Sequence, residues 1–539
     1  MSKRKIALIY PLDDSLPLQS TSYRVYMPRY GILAVAARLI NEGYEVQTYC
    51  EQSGSEVDWN FVQKADYVCY SILSFSAFKA YEYTQKVSQI NPKAIQIYGG
   101  SHASLAADDC LDHVDYVIRN EGEETLVDLL SKLEQGNSVK DVLGLSLNFE
   151  GEKKHNVARP FISDVNQVLT ADLIKNYKKR SIGTYIKDIF TIGMPRFNVV
   201  VSQSSRGCPF DCKFCFVKIE LGKQYRRKTP EMVLMEIENG INQLGSKYVM
   251  FVDNDFCISK NHTLEVLKLI EEKYYGDIDL FIFTRITVAF DQDIVEAFKR
   301  AGRVCLALGI ESIESDTQTE YKKEFSNNSI ENALKILNDN GIKYHALFVV
   351  GSDYDTQESI DKILKFSIKN NAFYMGLQIL YDFPRKEIVT KSEQCIPDHR
   401  YIHHDWRFFS GTFVIHFPKK IRPSVLQESV VKAHMDFYKK SKFFIQFYAT
   451  KGIMRSYIKY LRMIEHGLYD ENDILDEAKL ENWIQEKKIE IKFNLYDYLL
   501  ELGRFYAMNI FRKDSWMYLL SIVKPMQKPK LEEHSEEAA

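Results

Sequence analysis

The chain has 539 residues, 45% of them hydrophobic and 27% charged, with a formal net charge of −3. That length calls for about two to four domains, and the near-neutral balance gives no electrostatic ground for nucleic-acid binding. Nine cysteines do not make a disulfide scaffold and suit a reducing cytoplasm, and no apolar run approaches the ~20 residues of a membrane span.

The first 135 residues alternate strand and helix. Lys5–Tyr10, Glu45–Tyr49, Asp66–Ile72, Ala94–Tyr98 and Val114–Ile118 read as short apolar strands. The first of them stops at Pro11, so the basic N-terminus reads as a strand rather than a signal peptide. Helices are expected over Tyr30–Glu42, up to Ile90, and up to Leu133. This alternation predicts an open parallel sheet, whose ligands bind beyond the carboxyl ends of its strands. Those ends carry Ser71 and Ser74, then Gly99, Gly100, Ser101 and His102, then Asn120, Glu121, Gly122 and Glu123. Glycines there let a broad ligand or a phosphate approach the backbone. Taken singly, each is also what an ordinary turn contains.

Residues 136–195 read as a connecting stretch with a strand–turn–strand near Glu150-Gly151. His155 falls on its polar edge and is expected to face solvent.

Residues 196–397 hold six further strand–helix units. The strands are Asn198–Ser202, Lys247–Val252, Asp279–Phe283, Val304–Gly309, Tyr344–Val350 and Tyr374–Leu380. Continuous apolar strands of this kind suit a parallel sheet covered on both faces, here a partial (β/α)6 barrel. After the first strand comes Arg206-Gly-Cys-Pro-Phe-Asp-Cys-Lys-Phe-Cys215, with Cys208, Cys212 and Cys215 spaced CxxxCxxC. Thiolates are the usual ligands of iron–sulfur clusters, and a cubane held by three leaves one iron without a protein ligand. A structural zinc loop is the alternative, but closed zinc sites need four ligands and the next cysteine, Cys257, is distant. Other strand ends carry Asp253-Asn254-Asp255, Thr284-Arg285, Gly309-Ile-Glu311-Ser312 and Val350-Gly351. Asp253 and Asp255 are also good candidates for helix N-caps.

Residues 398–539 read as mainly helical, over Ser424–His466 and Asn494–Val523. His399, His403 and His404 cluster ahead of them; such a loop cluster is seldom a closed metal site. The apolar stripe around Tyr457 suits packing against the barrel. A basic–aromatic face for peripheral membrane contact or a lipid substrate is the other reading.

The cysteine loop, with Phe214 just before its third cysteine, resembles the signature of the radical S-adenosylmethionine (SAM) enzymes. The resemblance implies a 4Fe–4S cluster on Cys208, Cys212 and Cys215, with SAM on the open iron and Phe214 beside its adenine. It also implies SAM contacts from Asp253, Asn254, Asp255, Arg285, Glu311, Val350 and Gly351. Gly99-Gly-Ser-His102 followed by Asp115-Tyr-Val-Ile-Arg-Asn-Glu-Gly-Glu-Glu-Thr-Leu126 resembles the cobalamin-binding domain that precedes many such barrels. That implies a flavodoxin-like (Rossmann-type) domain with cobalamin against Ser71, Ser74, Gly99, Gly100, Ser101, His102, Glu121, Gly122 and Glu123. Asn120 stands where the family usually has glycine, and no Asp-x-His-x-x-Gly motif for an axial histidine is present. The segment His404-Asp-Trp406 followed by Thr412–Pro418 resembles an extension found after the barrel in one branch of the family. After the sixth strand, Tyr381-Asp-Phe-Pro-Arg385 replaces the common Pro-x-Pro-Gly-Thr, so no substrate class carries over. The implied activity is cobalamin-dependent methylation of an unactivated carbon in a small-molecule, lipid or natural-product substrate. The electron would come from an external donor such as flavodoxin or ferredoxin. The alternatives are a cobalamin-independent radical SAM enzyme performing cyclisation, coupling or rearrangement, and a non-catalytic cobalamin or iron–sulfur sensor.

Overall fold

The computed structural model describes residues 3–13, 25–167, 169, 197–323, 325–382, 396–439 and 444–486. The helix expected over Asn494–Val523 and positions 383–385 of the departing loop lie outside the described residues. The N-terminal strands are β1 (Lys5–Tyr10), β2 (Val25–Tyr26), β3 (Glu45–Cys50), β4 (Tyr67–Ser71), β5 (Ile95–Gly99), β6 (Tyr116–Ile118), β7 (Leu145–Phe149) and β8 (Glu152–His155). All but β2 form one sheet in the order β3-β1-β4-β5-β6-β7-β8. From β3 to β6 every pairing is parallel. Counted along the chain, the five parallel strands run 2-1-3-4-5, the flavodoxin-like order, whose switch point falls between β1 and β4. Ile6 to Tyr10 are buried, as a central strand covered on both faces requires. Helix Tyr30–Asn41 presents Tyr30, Leu33, Ala34 and Ala37 to the core along one stripe.

The strand–turn–strand in the connecting stretch is the hairpin β7–β8. It adds antiparallel to β6 and covers what would otherwise be an open sheet edge. His155 is accordingly half-buried rather than solvent-facing. Its Nδ1 lies 2.9 Å from Ser146 Oγ and its Nε2 3.1 Å from Asp108.

The second half begins with β9 (Phe197–Asn198), which pairs with β2, then β10 (Val200–Ser202), β11 (Ser205–Arg206) and β12 (Arg226–Arg227). It continues with β13 (Tyr248–Phe251), β14 (Asp279–Thr284), β15 (Arg303–Glu311), β16 (Lys343–Val350) and β17 (Tyr374–Ile379). Strands β10, β13, β14, β15, β16 and β17 form a six-stranded sheet in that order, parallel throughout. This is the expected open (β/α)6 barrel. The first of its helices, Pro230–Leu244, is started by Thr229 as N-cap with proline in the first turn.

Helices Pro423–Tyr438, Phe444–Ile464 and Glu477–Glu486 form the C-terminal region. The first packs on the open barrel edge: Tyr438 Oη accepts from Met375 N–H at 2.9 Å and donates to Met375 O at 2.8 Å. His434 Nε2 takes the Leu377 N–H at 3.2 Å. Backbone groups that a sheet edge leaves exposed are thereby covered. No helix of the described residues is long and apolar enough to cross a membrane.

Candidate functional site

The cysteine loop is clamped at its base. Strands β11 and β12 pair antiparallel, Ser205 with Arg227 and Arg206 with Arg226, so the loop leaves and rejoins the barrel at one place. Gly207 is obligatory at the exit, since a Cβ there would lie 2.1 Å from the Gln224 carbonyl oxygen. Asp253, 2% exposed, braces the strand leading in. Its carboxylate accepts from Ser204 N–H at 2.9 Å and from the Ser204 and Ser205 hydroxyls at 2.6 Å each. Asp253 therefore caps no helix and has its acceptors engaged by the chain itself. Cys208, Cys212 and Cys215 are half-buried on the loop. Burial first, then the charges of the other two cysteines and Glu311, push the Cys215 thiol up to about 11. The three cysteines share one loop, and among the described residues no three such side chains stand in a metal-ligating cluster. Metal binding at such a site releases protons, because the ligand is the thiolate.

Around this loop the barrel ends converge. Arg285 lays its guanidinium over the Phe210 ring, 3.7 Å from the centroid, and its charge acts on Cys208, Asp255 and Glu311. Asp255 accepts from Thr284 Oγ1 at 2.9 Å and from Cys257 N–H at 3.1 Å. Asn254 Nδ2 is buried without a hydrogen-bond partner, a donor held in reserve. Glu311 sits at a register shift between β15 and β16 with φ +68°. A left-handed backbone at a half-buried glutamate is strained, and such strain concentrates at functional sites. Burial raises its pKa, opposed by Lys323, whose Nζ lies 3.3 Å from Oε1. Phe214 packs edge-on to Tyr321, with centroids 5.0 Å apart. The remaining two candidates are committed elsewhere. Val350 O accepts from Leu380 N–H. Gly351 donates its N–H to Asp355 at 2.8 Å, and its carbonyl lies 2.8 Å from His416 Nε2.

Between the two sheets lies a cavity of about 360 Å³. Its floor is the switch point of the first sheet, with Tyr10, Ser71 and Leu73. Its roof comes from the barrel, with Gln203, Arg206, Glu220 and Leu221. Of the residues expected to meet a cofactor here, Ser71, Gly99, Gly100, Ser101, Glu121, Gly122 and Glu123 line it. Ser74 and His102 do not. His102 is fully buried, with Nδ1 3.1 Å from Ser74 Oγ and Nε2 3.1 Å from Tyr81 Oη. Burial lowers its pKa, so it is a neutral hub under the strand ends. Trp406, from the segment after the barrel, donates its indole N–H to Asp109 at 3.0 Å and stacks edge-on to His102. Gly100 has a local reason to be glycine: its φ is +93°, and a Cβ would lie 2.8 Å from Ile72 N and 2.9 Å from Ile72 O.

Glu121 and Glu123 line the cavity, and the structure gives their carboxylates partners that the motif does not reveal. Arg226 Nη1 donates to both oxygens of Glu121 at 2.9 and 2.8 Å. Arg206 Nη1 reaches Glu121 at 3.1 Å and Glu123 at 2.8 Å. The two arginines are the facing pair at the base of the cysteine loop, so the first domain grips that loop directly. A second buried seam lies beside it. Glu236 takes Lys228 Nζ at 2.7 Å, Tyr30 Oη at 2.9 Å and Ser202 Oγ at 2.7 Å. No local sequence signal marks these pairings: Arg226 and Lys228 stand in a basic run and Glu236 lies within helix Pro230–Leu244.

Comparison with known proteins agrees with this geometry. Residues 202–367 match the family model of the radical SAM superfamily, and residues 20–130 match the B12 binding domain. The chain is a radical SAM protein with a B12-binding domain. An uncharacterized methyltransferase of Pyrococcus horikoshii is 25% identical to this radical SAM protein over 460 residues, 83% of the chain and 95% of the relative. An anaerobic magnesium-protoporphyrin IX monomethyl ester cyclase of Cereibacter sphaeroides is 25% identical over 401 residues, 73% of the chain and 63% of the relative. Among solved structures, the radical SAM methyltransferase TsrM from Kitasatospora setae, with cobalamin and a 4Fe–4S cluster bound, superposes with a TM-score of 0.57. It is 18% identical, over 71% of this chain and 76% of that one.

Proposed function

We propose that this radical SAM enzyme is a cobalamin-dependent methyltransferase acting on an unactivated carbon of a small-molecule, lipid or natural-product substrate. The observation that carries the reading is the shared cavity. A flavodoxin-like switch point and the base of a CxxxCxxC loop face one another across it, joined by Glu121, Arg206 and Arg226. In this reading residues 1–135 hold cobalamin, 136–195 connect, 196–397 hold the cluster and SAM, and 398–539 cover the barrel.

The residues present fit these groups. Three free cysteines spaced CxxxCxxC on one loop suit a cubane with one open iron. The unpartnered Asn254 amide, Arg285 and the strained Glu311 are the polar groups we assign to SAM, with Phe214 for the adenine and Asp255 supporting through Thr284. Val350 and Gly351 contribute shape rather than free hydrogen-bonding groups. Ser71, Gly99 and Ser101 offer a low rim for a corrin. Bound together, the cluster and SAM supply hydrogen abstraction from carbon, and cobalamin supplies a methyl carrier; the protein's part is orientation and exclusion of water. An external donor such as flavodoxin or ferredoxin provides the electron, in the cytoplasm.

Anaerobic reconstitution with iron, sulfide and hydroxocobalamin tests the reading. About four irons and four sulfides per chain are expected, with corrinoid retained after desalting and 5′-deoxyadenosine formed from SAM under a reductant. Full iron content after replacing Cys208, Cys212 and Cys215 by alanine would sink the cluster assignment. The cyclase relative supports a second reading, radical chemistry without methyl transfer. Corrinoid-free protein that still cleaves SAM would favour it.

A further inference from the structure

We propose that the substrate is an uncharged, largely apolar alcohol held end-on inside the barrel, with its hydroxyl on His345 and its far end at the carboxyl ends of the strands. This names the substrate class of the reading above and rests on that reading for which end of the molecule reacts. The strands themselves show that the barrel is open inside. On β16, Tyr344, Ala346 and Phe348 face the outer helices and are 1% exposed each. The Tyr344 hydroxyl donates to Asn370 O, at the end of helix Gln357–Lys369, and Phe348 packs edge-on to Phe366 of that helix. His345 and Leu347 point the other way and are only half-buried. The same alternation runs along β13, with Tyr248 and Met250 half-buried and Val249 and Phe251 buried, and along β17, with Tyr374 and Gly376 half-buried and Met375 and Leu377 buried. Successive side chains of a strand take opposite faces, so the inward face is the one left short of neighbours.

That inward face is apolar apart from one group. Phe281 and Tyr374 flank His345, with ring centroids 6.4 and 5.5 Å from the imidazole. The nearest charges below, Asp279, Arg303 and Lys343, stand at the strand starts. There Arg303 holds Asp279 at 2.7 Å and Lys343 lies over the Phe373 ring. His345 Nε2 stands over Gly376, where a Cβ would lie 2.8 Å from it. Among the described residues the imidazole makes no hydrogen bond. His434, on the helix outside β17, is by contrast satisfied by Leu377 N–H and Val430 O. A polar ring set among apolar walls without a partner is costly and calls for one from a ligand. Burial lowers the His345 pKa to about 4, and no carboxylate opposes it, so the ring is neutral: one nitrogen donates and the other accepts. A hydroxyl also does both and pairs with either tautomer, whereas a carboxylate would find no cation there. Five strand steps separate His345 from Val350 at the end of β16, about 16 Å of strand, or about 13 Å along an axis to which the strands tilt by about 36°. Val252, two residues beyond Met250, lines the cavity between the sheets. A molecule of that length on His345 therefore ends where the cysteine loop and the first domain meet.

The test is calorimetric titration of the intact, cluster-loaded chain at neutral pH with decan-1-ol, whose extended length matches that depth, and with decanoate. The variants are His345→Gln, His345→Leu and Gly376→Leu, with iron content reporting an intact barrel in each. Wild type should bind decan-1-ol at least tenfold more tightly than decanoate. His345→Gln keeps a donor and an acceptor and should stay within about threefold of wild type, whereas His345→Leu should bind decan-1-ol about tenfold more weakly. Gly376→Leu fills the space under the imidazole and should bind neither probe. Undiminished affinity in His345→Leu or in Gly376→Leu overturns the inference, as does decanoate binding as tightly as decan-1-ol. So does a wild-type chain that binds no decan-1-ol. Corrinoid retained after desalting is measured on the same preparations. A chain that retains none yet binds decan-1-ol through His345 keeps the inference and loses the methyltransferase reading, and one that retains corrinoid without the alcohol does the reverse.

Discussion

Replacing Glu121 by glutamine removes the charge that holds two barrel arginines to the first domain. The Glu121 and Arg226 side chains are 4% and 2% exposed, so water cannot take the place of the lost partner. Breaking a buried ion pair by neutralising one member costs about 3–5 kcal/mol. Arg226 keeps two carbonyl acceptors, Ile162 O and Leu221 O, each at 2.6 Å, and Arg206 keeps Glu123. Those partners place the loss near the lower end, about 3 kcal/mol, or roughly a hundredfold in the local opening equilibrium. A chain of several domains does not unfold in two states, so global denaturation is the wrong assay. Native-state hydrogen exchange at the β11–β12 ribbon reads the opening directly. The Lys228 amide, bonded to Ser204 O at 2.8 Å, is a suitable reporter. Glu121→Gln should exchange about a hundredfold faster there, and the double variant Glu121→Leu with Arg226→Met should recover part of the loss by removing the orphaned charge. An effect under about threefold, or strict additivity in the double variant, would refute the claim that this pair locks the loop to the first domain.

Three further outcomes are expected. Glu311→Gln should weaken SAM binding by about 1–3 kcal/mol, the scale of a hydrogen bond to a charged group; unchanged affinity in equilibrium titration would remove it from the SAM site. Gly100→Ala meets the Ile72 backbone at 2.8 Å in a left-handed conformation, whereas a Cβ on Gly99 finds nothing closer than 3.9 Å. Thermal unfolding should therefore come several degrees earlier in Gly100→Ala and stay unchanged in Gly99→Ala, and equal midpoints would count against this reason for the glycine. Finally, burial lowers His416 to about 4, and its Nδ1 is buried without a partner. The neutral ring suits the fold, so full stability holds above the ordinary value of 6.5 and declines as pH falls from 6.5 towards 4. His416, 2% exposed, contributes a loss of about 3 kcal/mol by pH 4. His403 and His434 are lowered the same way. Hydrogen exchange in helix Pro423–Tyr438 that does not quicken across this range contradicts the argument.

The two parallel sheets and the cysteine loop were legible in the sequence because their signals are local. Apolar runs bounded by turns set the strands, and the CxxxCxxC spacing places three cysteines on one loop wherever that loop lies. Even the departure at Asn120 has a local cause: its φ is +62°, where asparagine is among the few residues that stand in for glycine. Which way the polar side chains turn was decided by the tertiary structure. Glu121 meets Arg206 and Arg226 across 85 and 105 residues of chain, and Asp109 meets Trp406 across 297. His102 and Glu121 both carry the expectation of meeting the cofactor, yet one is sealed beneath the sheet ends and the other bridges to the barrel. Adjacency along the chain specifies which residues reach a strand end. Only the packing of one sheet against the other specifies what each finds there, because a buried charge takes the nearest counter-charge the fold brings to it.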